Sequence, residues 1–266
     1  MASSPARASV LPPRKEPVIN LYHLLNGLLA HVGLELRRSG LNADFGSENS
    51  EIIRRVQPYT MTTPERIFSL LQATKYVAEA GITGDFVECG VWRGGSMMAA
   101  ALQLQRLGRT DIDLHLFDTY EGMSEPTAAD VDYRGAAAAS RLSSAKRSRA
   151  SEIWAYAPLD EVRRNLTSTG YPQERIHLVK GKVENTLPGA APQHIALLRL
   201  DTDWYESTKH ELETLYPRLV SGGVLLIDDY GYWQGSRKAF DEYAAANGLH
   251  VLLNRIDSAA RIAVKP

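Results

Sequence analysis

The chain has 266 residues, of which 44% are hydrophobic and 23% are charged, a composition typical of a folded globular protein and unlike that of a disordered or collagen-like chain. Its 30 lysines and arginines nearly balance 31 aspartates and glutamates, so the net charge of -1 argues against a nucleic-acid partner. The single cysteine, Cys89, excludes an intramolecular disulfide and a multi-cysteine zinc site, and agrees with a cytoplasmic location.

The N-terminal segment predicts a tail followed by a helix. Residues 1–18 are rich in Ala, Ser and Pro and lack the apolar run of a secretory signal, so we expect a mobile tail. Residues 19–32 have leucines at helical spacing but are interrupted by polar side chains, and a membrane span needs about 20 apolar residues. We expect this helix to pack on the core or on a second copy in a homodimer. Residues 1–60 are therefore predicted as a tail and helical or lid-like extension, and residues 61–266 as one domain.

From about residue 84 the sequence has the pattern of an α/β fold, because short apolar runs alternate with segments of helix length. The first five runs are almost continuously apolar, as in a parallel sheet that is covered on both faces. The last two are too close together for a crossover helix and should form an antiparallel hairpin. The seven predicted strands are residues 85–91, 113–117, 175–180, 194–200, 223–227, 250–254 and 261–264.

Residues 124–150 are the least regular part of the sequence. After Asp132 this segment carries five basic side chains and no acidic one. Two interpretations of this charge stay open, a solvated surface segment or a region that attracts an acidic or phosphorylated substrate. Because long loops in compact domains are often lids, we expect a mobile loop that can close over a site.

A glycine turn follows the first predicted strand. Gly90, Gly94 and Gly95 let the backbone approach a ligand closely, and the next helix offers free N–H groups. Their spacing differs from the G-x-G-x-x-G of dinucleotide-binding proteins. Glu88, at the end of the strand, would repel a pyrophosphate but can accept hydrogen bonds from an ammonium group such as that of S-adenosylmethionine. Asp118, at the end of the neighbouring strand, suits the ribose hydroxyls of a nucleoside.

Acidic residues also follow the fourth and fifth predicted strands. Asp201 and Asp203 come after one strand, and Asp228 and Asp229 come after the next. The carboxyl ends of parallel strands meet at one edge of a sheet, so these acids should face one another. Crowded carboxylates need a cation, and their hard oxygens suit Mg²⁺ or Ca²⁺. Helix capping is the alternative role, which fits Asp203 best.

Four segments together resemble the macrocin O-methyltransferase (TylF) family, namely VECGV at 87–91, LFDTYEGM at 116–123, RLDTDWYEST at 199–208 and IDDYG at 227–231. The resemblance covers roughly residues 58–240. It implies a class I S-adenosylmethionine-dependent methyltransferase fold, with a seven-stranded, mostly parallel sheet and an antiparallel final strand. It also implies S-adenosylmethionine as methyl donor, Mg²⁺ as cofactor, and a sugar hydroxyl of a bacterial glycosylated natural product, such as an antibiotic, as acceptor.

The same resemblance implies which residues hold the cofactor. Residues of the first motif line its methionine part, and the acid after the second strand binds the ribose. A pair after the third strand flanks the adenine, and a pair on the N-terminal side folds over the cofactor. In this order they are Glu88, Gly90 and Ser96; Asp118; Val183 and Glu184; and Thr60 and Met61.

The resemblance further implies that Asp201, Asp228 and Asp229 are the metal ligands. Asp201 is also the expected general base, with Asp203 as the reserve candidate. A more distant similarity to catechol O-methyltransferase is interrupted at two positions. Trp204 stands where that enzyme has its catalytic lysine, and Asp229 stands where it has asparagine. The lysine mechanism of that enzyme is therefore not carried over.

Two other classes of function stay open. A glycosyltransferase could bind a metal and a nucleotide sugar through Asp201-Thr202-Asp203, but this hypothesis leaves Glu88 and Asp118 unexplained. A non-catalytic cofactor-binding protein would keep the cofactor residues but would not need the full set of acids. Several aromatic residues beside the acids could form a wall against an acceptor, and they are Trp204, Tyr230, Tyr232 and Trp233.

Overall fold

The protein divides into two compact units, Met1–Asn42 and Ala43–Pro266. Among the described residues of the first unit, 25 and 28–30 are helical and Leu28 is largely exposed. The remainder of that helix and the tail lie outside the described residues, so the homodimer and the boundary at residue 60 stay predictions. The computed structural model describes residues 25, 28–31, 40–146 and 151–266.

The larger unit is built on a seven-stranded sheet with helices flanking it, which confirms the predicted fold class. The order across the sheet is β3-β2-β1-β4-β5-β7-β6. The first five strands run parallel to one another, and β7 is antiparallel to both of its neighbours. The strands are β1 (Asp85–Cys89), β2 (Leu114–Asp118), β3 (Ile176–Lys180), β4 (Ile195–Leu200), β5 (Leu219–Ile227), β6 (Asn254–Arg255) and β7 (Arg261–Val264).

The helices connect these strands, as the alternating pattern of the sequence predicts. The described helices that precede β1 are α1 (Gly46–Val56) and α2 (Pro64–Glu79). Those that follow it are α3 (Gly95–Arg106), α4 (Ala138–Ser144), α5 (Leu159–Thr167), α6 (Val183–Thr186), α7 (Tyr205–Leu215) and α8 (Gln234–Ala246). Among the described residues, no helix is long and apolar enough to cross a membrane.

The core lies at the centre of the sheet. All six residues of β4 are buried, which explains the nearly continuous apolar run in the sequence. Val87, Leu198 and Leu225 form one row across β1, β4 and β5. This row packs in a single cluster with Leu212 of α7 and Phe240 of α8. The buried centre holds the ends of β1, β4 and β5 in register, where the predicted site residues follow.

The last strand pair is shorter than the sequence predicts. β6 includes only the final residue of the predicted strand 250–254, and Leu252 is largely exposed. Pairing with β7 is limited to Asn254 and Arg255, next to a turn that Asp257 shapes. Its Oδ1 atom accepts the N–H groups of Ala259 and Ala260, each at 2.8 Å. The antiparallel hairpin itself is confirmed.

The segment after β2 is more regular than we expected. It contains α4, and Asp132 forms an isolated antiparallel bridge with Trp233. The fully buried Asp130 accepts the N–H of Tyr205 at 2.7 Å, at the start of α7. The expectation of an irregular loop is wrong for this part, because buried hydrogen bonds anchor it to α7 and α8. Residues 147–150 lie outside the described residues.

Candidate functional site

A cavity of about 740 Å³ lies at the carboxyl ends of the parallel strands, within the size range of small-molecule sites. Residues from both the N-terminal side of the unit and the strand ends line it. Glu88 is the exception among the predicted site residues, because it lies below the lining. The predicted residues that line the cavity are Thr60, Met61, Gly90, Ser96, Asp118, Val183, Glu184, Asp201, Asp228 and Asp229.

The glycine turn packs directly on the end of β4. Gly90 has a φ of +80°, and a Cβ atom there would lie 2.0 Å from the carbonyl oxygen of Asp201. The N–H of Asp201 donates to the carbonyl of Cys89 at 2.8 Å. Only glycine permits this approach. The turn predicted to hold the cofactor is therefore contiguous with the first of the acids.

A second close approach brings the N-terminal segment to the start of α3. A Cβ atom on Gly95 would lie 2.5 Å from the carbonyl oxygen of Tyr59. The next residues form a tight turn, in which the hydroxyls of Thr60 and Thr62 are 2.9 Å apart. Met61 projects from this turn and is 46% exposed. We call residues 59–62 the strap, because they line the cavity beside the first turn of α3.

Asp118 organises the glycine turn from the end of β2. Its Oδ2 atom accepts the N–H groups of Val91 at 2.7 Å and Trp92 at 3.1 Å, and its Oδ1 atom accepts that of Tyr120 at 2.6 Å. Burial raises the pKa of Asp118, and these three hydrogen bonds oppose the effect. An ionised carboxylate has about four lone-pair positions. The three N–H groups occupy three of them, and the hydroxyl of Thr119 lies 3.4 Å from Oδ1 as a fourth, longer contact. The predicted contact with a ribose stays a prediction.

Arg199, whose role the motifs did not predict, is a buried arginine on β4 that joins three acids. Its Nη1 atom donates to Glu88 at 2.7 Å and lies 2.7 Å from Asp201 Oδ2, and its Nη2 atom donates to Asp228 at 2.6 Å. Burial raises the pKa of Glu88 to about 7, although Arg199 lowers it. Burial acts to lower the pKa of Arg199, but Asp201 and Asp228 raise it well above its ordinary value. The only signal in the sequence was a cation within an apolar strand.

A second arginine pairs with the other oxygen of Asp228. Arg66 of α2 contacts Asp228 Oδ2 through Nη1 and donates from Nε to Asp257 at 2.7 Å. Thr63 starts this helix by accepting the N–H of Arg66, and its hydroxyl donates to Asp257 at 2.9 Å. Burial acts to raise the pKa of Asp257, but the N–H of Ala260 and Arg66 lower it to about 2. The contacts of Arg66 link α2, the β6–β7 turn and the acids.

Asp201, Asp203 and Asp229 form the tightest group of acids among the described residues, with one oxygen of each within 4.8 Å of the others. Asp203 has a φ of +69°, an uncommon backbone conformation that Asp tolerates better than most residues. Burial, and then the charge of Asp201, raise the pKa of Asp203 to about 7, against hydrogen bonds from Asp229 and Trp233. Burial also raises the pKa values of Asp201 and Asp229 well above the ordinary value. Asp228 lines the same cavity, but both of its oxygens face arginines.

The chemistry of these side chains fits a divalent cation. Carboxylate oxygens are the ligands that Mg²⁺ prefers, and three of them already lie close together. Each oxygen of Asp228 has about two lone pairs and contacts one arginine. One lone pair therefore remains on each oxygen. The structure thus brings Asp201 and Asp229 together as expected and adds Asp203 to them. The predicted ligand set of Asp201, Asp228 and Asp229 stays a prediction.

An aromatic cluster covers one side of the acids. We define it by the buried Ala138, Leu142, Trp204 and Trp233, against which Met123, Ile153, Trp154 and Tyr232 pack. Tyr232 and Trp233 line the cavity, as expected of a wall against an acceptor. Trp204 packs edge-on against Trp233, and its indole N–H donates to the carbonyl of Ser124. Tyr230 faces away, because its hydroxyl donates to Asp241 of α8.

Comparisons with known proteins agree with this geometry. The sequence profile described as Macrocin-O-methyltransferase (TylF) matches residues 42–263. An 8-demethyl-8-(2,3-dimethoxy-alpha-L-rhamnosyl)-tetracenomycin-C 4'-O-methyltransferase from Streptomyces olivaceus is 35% identical over 75% of this chain and 72% of its own length. A demethyldecarbamoylnovobiocin O-methyltransferase from Streptomyces niveus is 32% identical over 70% of this chain and 68% of its own length.

Solved structures show the same fold. The O-methyltransferase NovP superposes with a TM-score of 0.68 at 30% identity, covering 78% of this chain and 82% of that protein. The calicheamicin methyltransferase CalS11 superposes with a TM-score of 0.56 at 17% identity, covering 86% and 94%, and supports the fold alone. The profile match spans most of the chain, including the strands, the glycine turn and the acids. The chain therefore belongs to the macrocin O-methyltransferase (TylF) family.

Proposed function

We propose that this protein transfers a methyl group from S-adenosylmethionine to a sugar hydroxyl of a glycosylated natural product of an antibiotic pathway, with the help of Mg²⁺. The observation that carries the proposal is the direct contact between the glycine turn and the acids at Gly90 and Asp201. Family membership supports the methyl transfer. Three relatives support the acceptor class, since they are named for O-methylation of a rhamnosyl tetracenomycin-C, of demethyldecarbamoylnovobiocin and of mycinamicin III.

The cofactor would occupy the part of the cavity between the strap and the glycine turn. Thr60 and Met61 of the strap and Ser96 of α3 line this part. Asp118 lines the cavity where the ribose is expected, and Val183 and Glu184 follow β3 where the adenine is expected. Glu88 Oε2 is buried without a partner among the described residues, so it can accept a hydrogen bond that the protein itself does not supply.

The metal would be held by Asp201, Asp228 and Asp229. When bound, Mg²⁺ lowers the pKa of a coordinated hydroxyl, which is otherwise a weak nucleophile at neutral pH. Arg199 and Arg66 fix the orientation of Asp228 and offset part of the negative charge. The acids are thereby held in place before any ligand arrives, which favours positioning of the acceptor oxygen.

Two carboxylates can take the proton of the acceptor hydroxyl. Asp201 is the predicted base, and its Oδ2 atom lies 2.7 Å from Arg199, which stabilises its charge. Asp203 has no arginine within ion-pairing distance among the described residues, and its raised pKa of about 7 suits proton transfer at neutral pH. Burial raises the pKa of both acids, so Asp203 is the second candidate because, in the described part of the chain, it lacks the arginine partner that Asp201 has.

Methyl transfer from labelled S-adenosylmethionine to a panel of glycosylated natural products tests the proposal. We expect label in at least one acceptor, loss of transfer with EDTA, and recovery with added Mg²⁺. The Asp203→Asn variant separates the two candidate bases. If Asp203 is the base, this variant should lose transfer while keeping Mn²⁺ binding by calorimetry, and if Asp201 is the base, it should keep both. Asp201→Asn should lose both, because Asp201 is also a proposed metal ligand. Transfer that survives chelation would contradict the metal role.

Two further measurements address the alternatives. Thermal stabilisation by a nucleotide sugar with Mn²⁺, together with none by S-adenosylhomocysteine, would favour a glycosyltransferase. An Asp201→Ala variant that retains full methyl transfer would contradict a catalytic role for the acids. The homodimer remains a proposal from the leucine spacing near the N-terminus, and light scattering at micromolar concentration tests it. A cytoplasmic location stays a prediction.

A further inference from the structure

The cavity holds one arginine that the proposed chemistry does not use. Arg141 lies on α4, whose Ala138 and Leu142 are one turn apart and are buried in the aromatic cluster. With these two positions facing the cluster, Arg141 faces the cavity, which it lines together with Ser144. Packing of α4 therefore fixes where the guanidinium lies.

Arg141 uses only one of its three nitrogen atoms within the described part of the chain. Its Nη1 atom donates to the hydroxyl of Tyr232 at 2.5 Å and lies 3.5 Å from Asp132 Oδ2. Asp132 Oδ1 accepts the backbone N–H groups of Arg134 and Ala136 instead. The side chain of Arg141 is 42% exposed. Its Nε–Nη2 edge is thus available, and the parallel N–H groups of such an edge match a carboxylate or a phosphate.

The other cations that line the cavity, within the described residues, have different positions. Arg66 and Arg199 are bound to the acids. Lys182 precedes α6, on the side where the adenine is expected. Arg141 is the cation on the acceptor side, and it belongs to a segment with five basic and no acidic residues after Asp132. Such a local charge attracts an anion rather than a neutral molecule.

We propose that Arg141 binds an oxyanion of the acceptor, a carboxylate or a phosphate, through its Nε–Nη2 edge. This inference rests on the proposed methyltransferase function, because the acids near Tyr232 and Trp233 would hold the reacting hydroxyl of the same molecule. The oxyanion has two sources. A sugar phosphate would mean that methylation precedes glycosyl transfer, whereas an acidic aglycone would mean that it follows glycosyl transfer.

Calorimetry on the full chain saturated with S-adenosylhomocysteine tests the inference. The probes are 4-carboxyphenyl rhamnoside, its neutral 4-carbamoylphenyl counterpart, and rhamnose 1-phosphate. At least one anionic probe should bind about tenfold more tightly than the neutral one, as expected for hydrogen bonds to a charged group. Preference for the phosphate identifies an activated sugar, and preference for the carboxylate identifies an acidic aglycone.

Variants show whether Arg141 is responsible. Arg141→Gln should reduce the preference for the anion to less than about twofold, and Arg141→Lys should retain part of it. Arg134→Gln is the matched control, because Arg134 is exposed on the same segment, stacks on Tyr133 and does not line the cavity. The preference of Arg134→Gln for the anionic probe over the neutral probe should equal that of the unchanged protein.

Two results would overturn the inference. One is equal binding of all three probes by the unchanged protein, and the other is a preference that survives in Arg141→Gln. The affinity of each variant for S-adenosylhomocysteine is measured in the same experiment and should be unchanged. An unchanged affinity also shows that the substitution has not disrupted the fold. Failure of the unchanged protein to bind S-adenosylhomocysteine would contradict the proposed function itself.

Discussion

Replacing Arg199 by methionine removes the cation that Glu88, Asp201 and Asp228 share beneath the cavity. Arg199 is 3% exposed and Glu88 is 1% exposed, so little water can take the place of the guanidinium. Removal of one partner from a buried ionic network costs about 3–5 kcal/mol. We expect a decrease of this size in the free energy of unfolding of Arg199→Met.

Urea denaturation followed by tryptophan fluorescence measures this decrease at about pH 8 and about pH 6. Burial already raises the pKa of Glu88 to about 7, and loss of Arg199 raises it further. Protonation of Glu88 at the lower pH relieves the imbalance of charge, so the decrease should be larger at the higher pH. Adding Glu88→Gln to Arg199→Met should restore part of the stability.

The control is Arg54→Met, since Arg54 is exposed on α1, and its effect should stay within about 0.5 kcal/mol. A decrease below about 1 kcal/mol for Arg199→Met would refute the reasoning, because the acids would then tolerate burial without a shared cation. Equal decreases at both pH values would show that lost packing, not charge, is the cause.

Three other substitutions have defined outcomes. Gly95→Ala places a methyl group 2.5 Å from the carbonyl oxygen of Tyr59, so it should displace the strap and weaken S-adenosylhomocysteine binding about tenfold by calorimetry. Asp257→Asn should cost about 2 kcal/mol of unfolding free energy at neutral pH, since its pKa is lowered from 3.8 to about 2. This difference should disappear as the pH falls from about 4 to about 2, where the carboxylate takes up its proton. Because the pKa of Glu88 is raised from 4.5 to about 7, the folded state favours its protonated form, and the unchanged protein should lose stability as the pH rises through this range. Glu88→Gln should remove this loss.

For each of these predictions, one outcome would contradict it. Gly189→Ala is the matched control for Gly95→Ala, because its nearest neighbour would be 3.7 Å away, and equal weakening by both would contradict the role of the strap. A cost of Asp257→Asn that persists at about pH 2 would show that its hydrogen bonds to the turn, not its charge, stabilise the fold. An unchanged pH dependence in Glu88→Gln would assign that dependence to other acids.

The sequence predicted the central strands well, because strands buried on both faces leave continuous apolar runs. The sixth strand was predicted too early in the chain, since Val251 and Leu253 resemble strand residues although pairing with β7 begins only at Asn254. The antiparallel final strand followed from the close spacing of the last two apolar runs, and the edge at which the acids meet followed from the geometry of parallel sheets.

The arginines of the site could not be predicted from spacing. Arg66 and Asp228 are 162 residues apart in the chain, and Arg199 joins residues at the ends of three different strands. The fold determines which acids these two arginines contact. A sequence motif contains only residues that are close together in the chain, so it does not indicate such contacts. The proximity of Asp203 to Asp229 has a similar origin, because it depends on a left-handed residue that no composition rule predicts.

Anchoring of α4 separates two sets of positions on one short helix. Ala138 and Leu142 are buried in the cluster with Trp204 and Trp233, while Arg141 and Ser144 lie outside this cluster and line the cavity. Substitution at the second pair therefore leaves the hydrophobic support of the helix intact. Substitutions on one short helix can thus change which acceptor the cavity prefers, while the acids that would carry out the reaction stay unchanged.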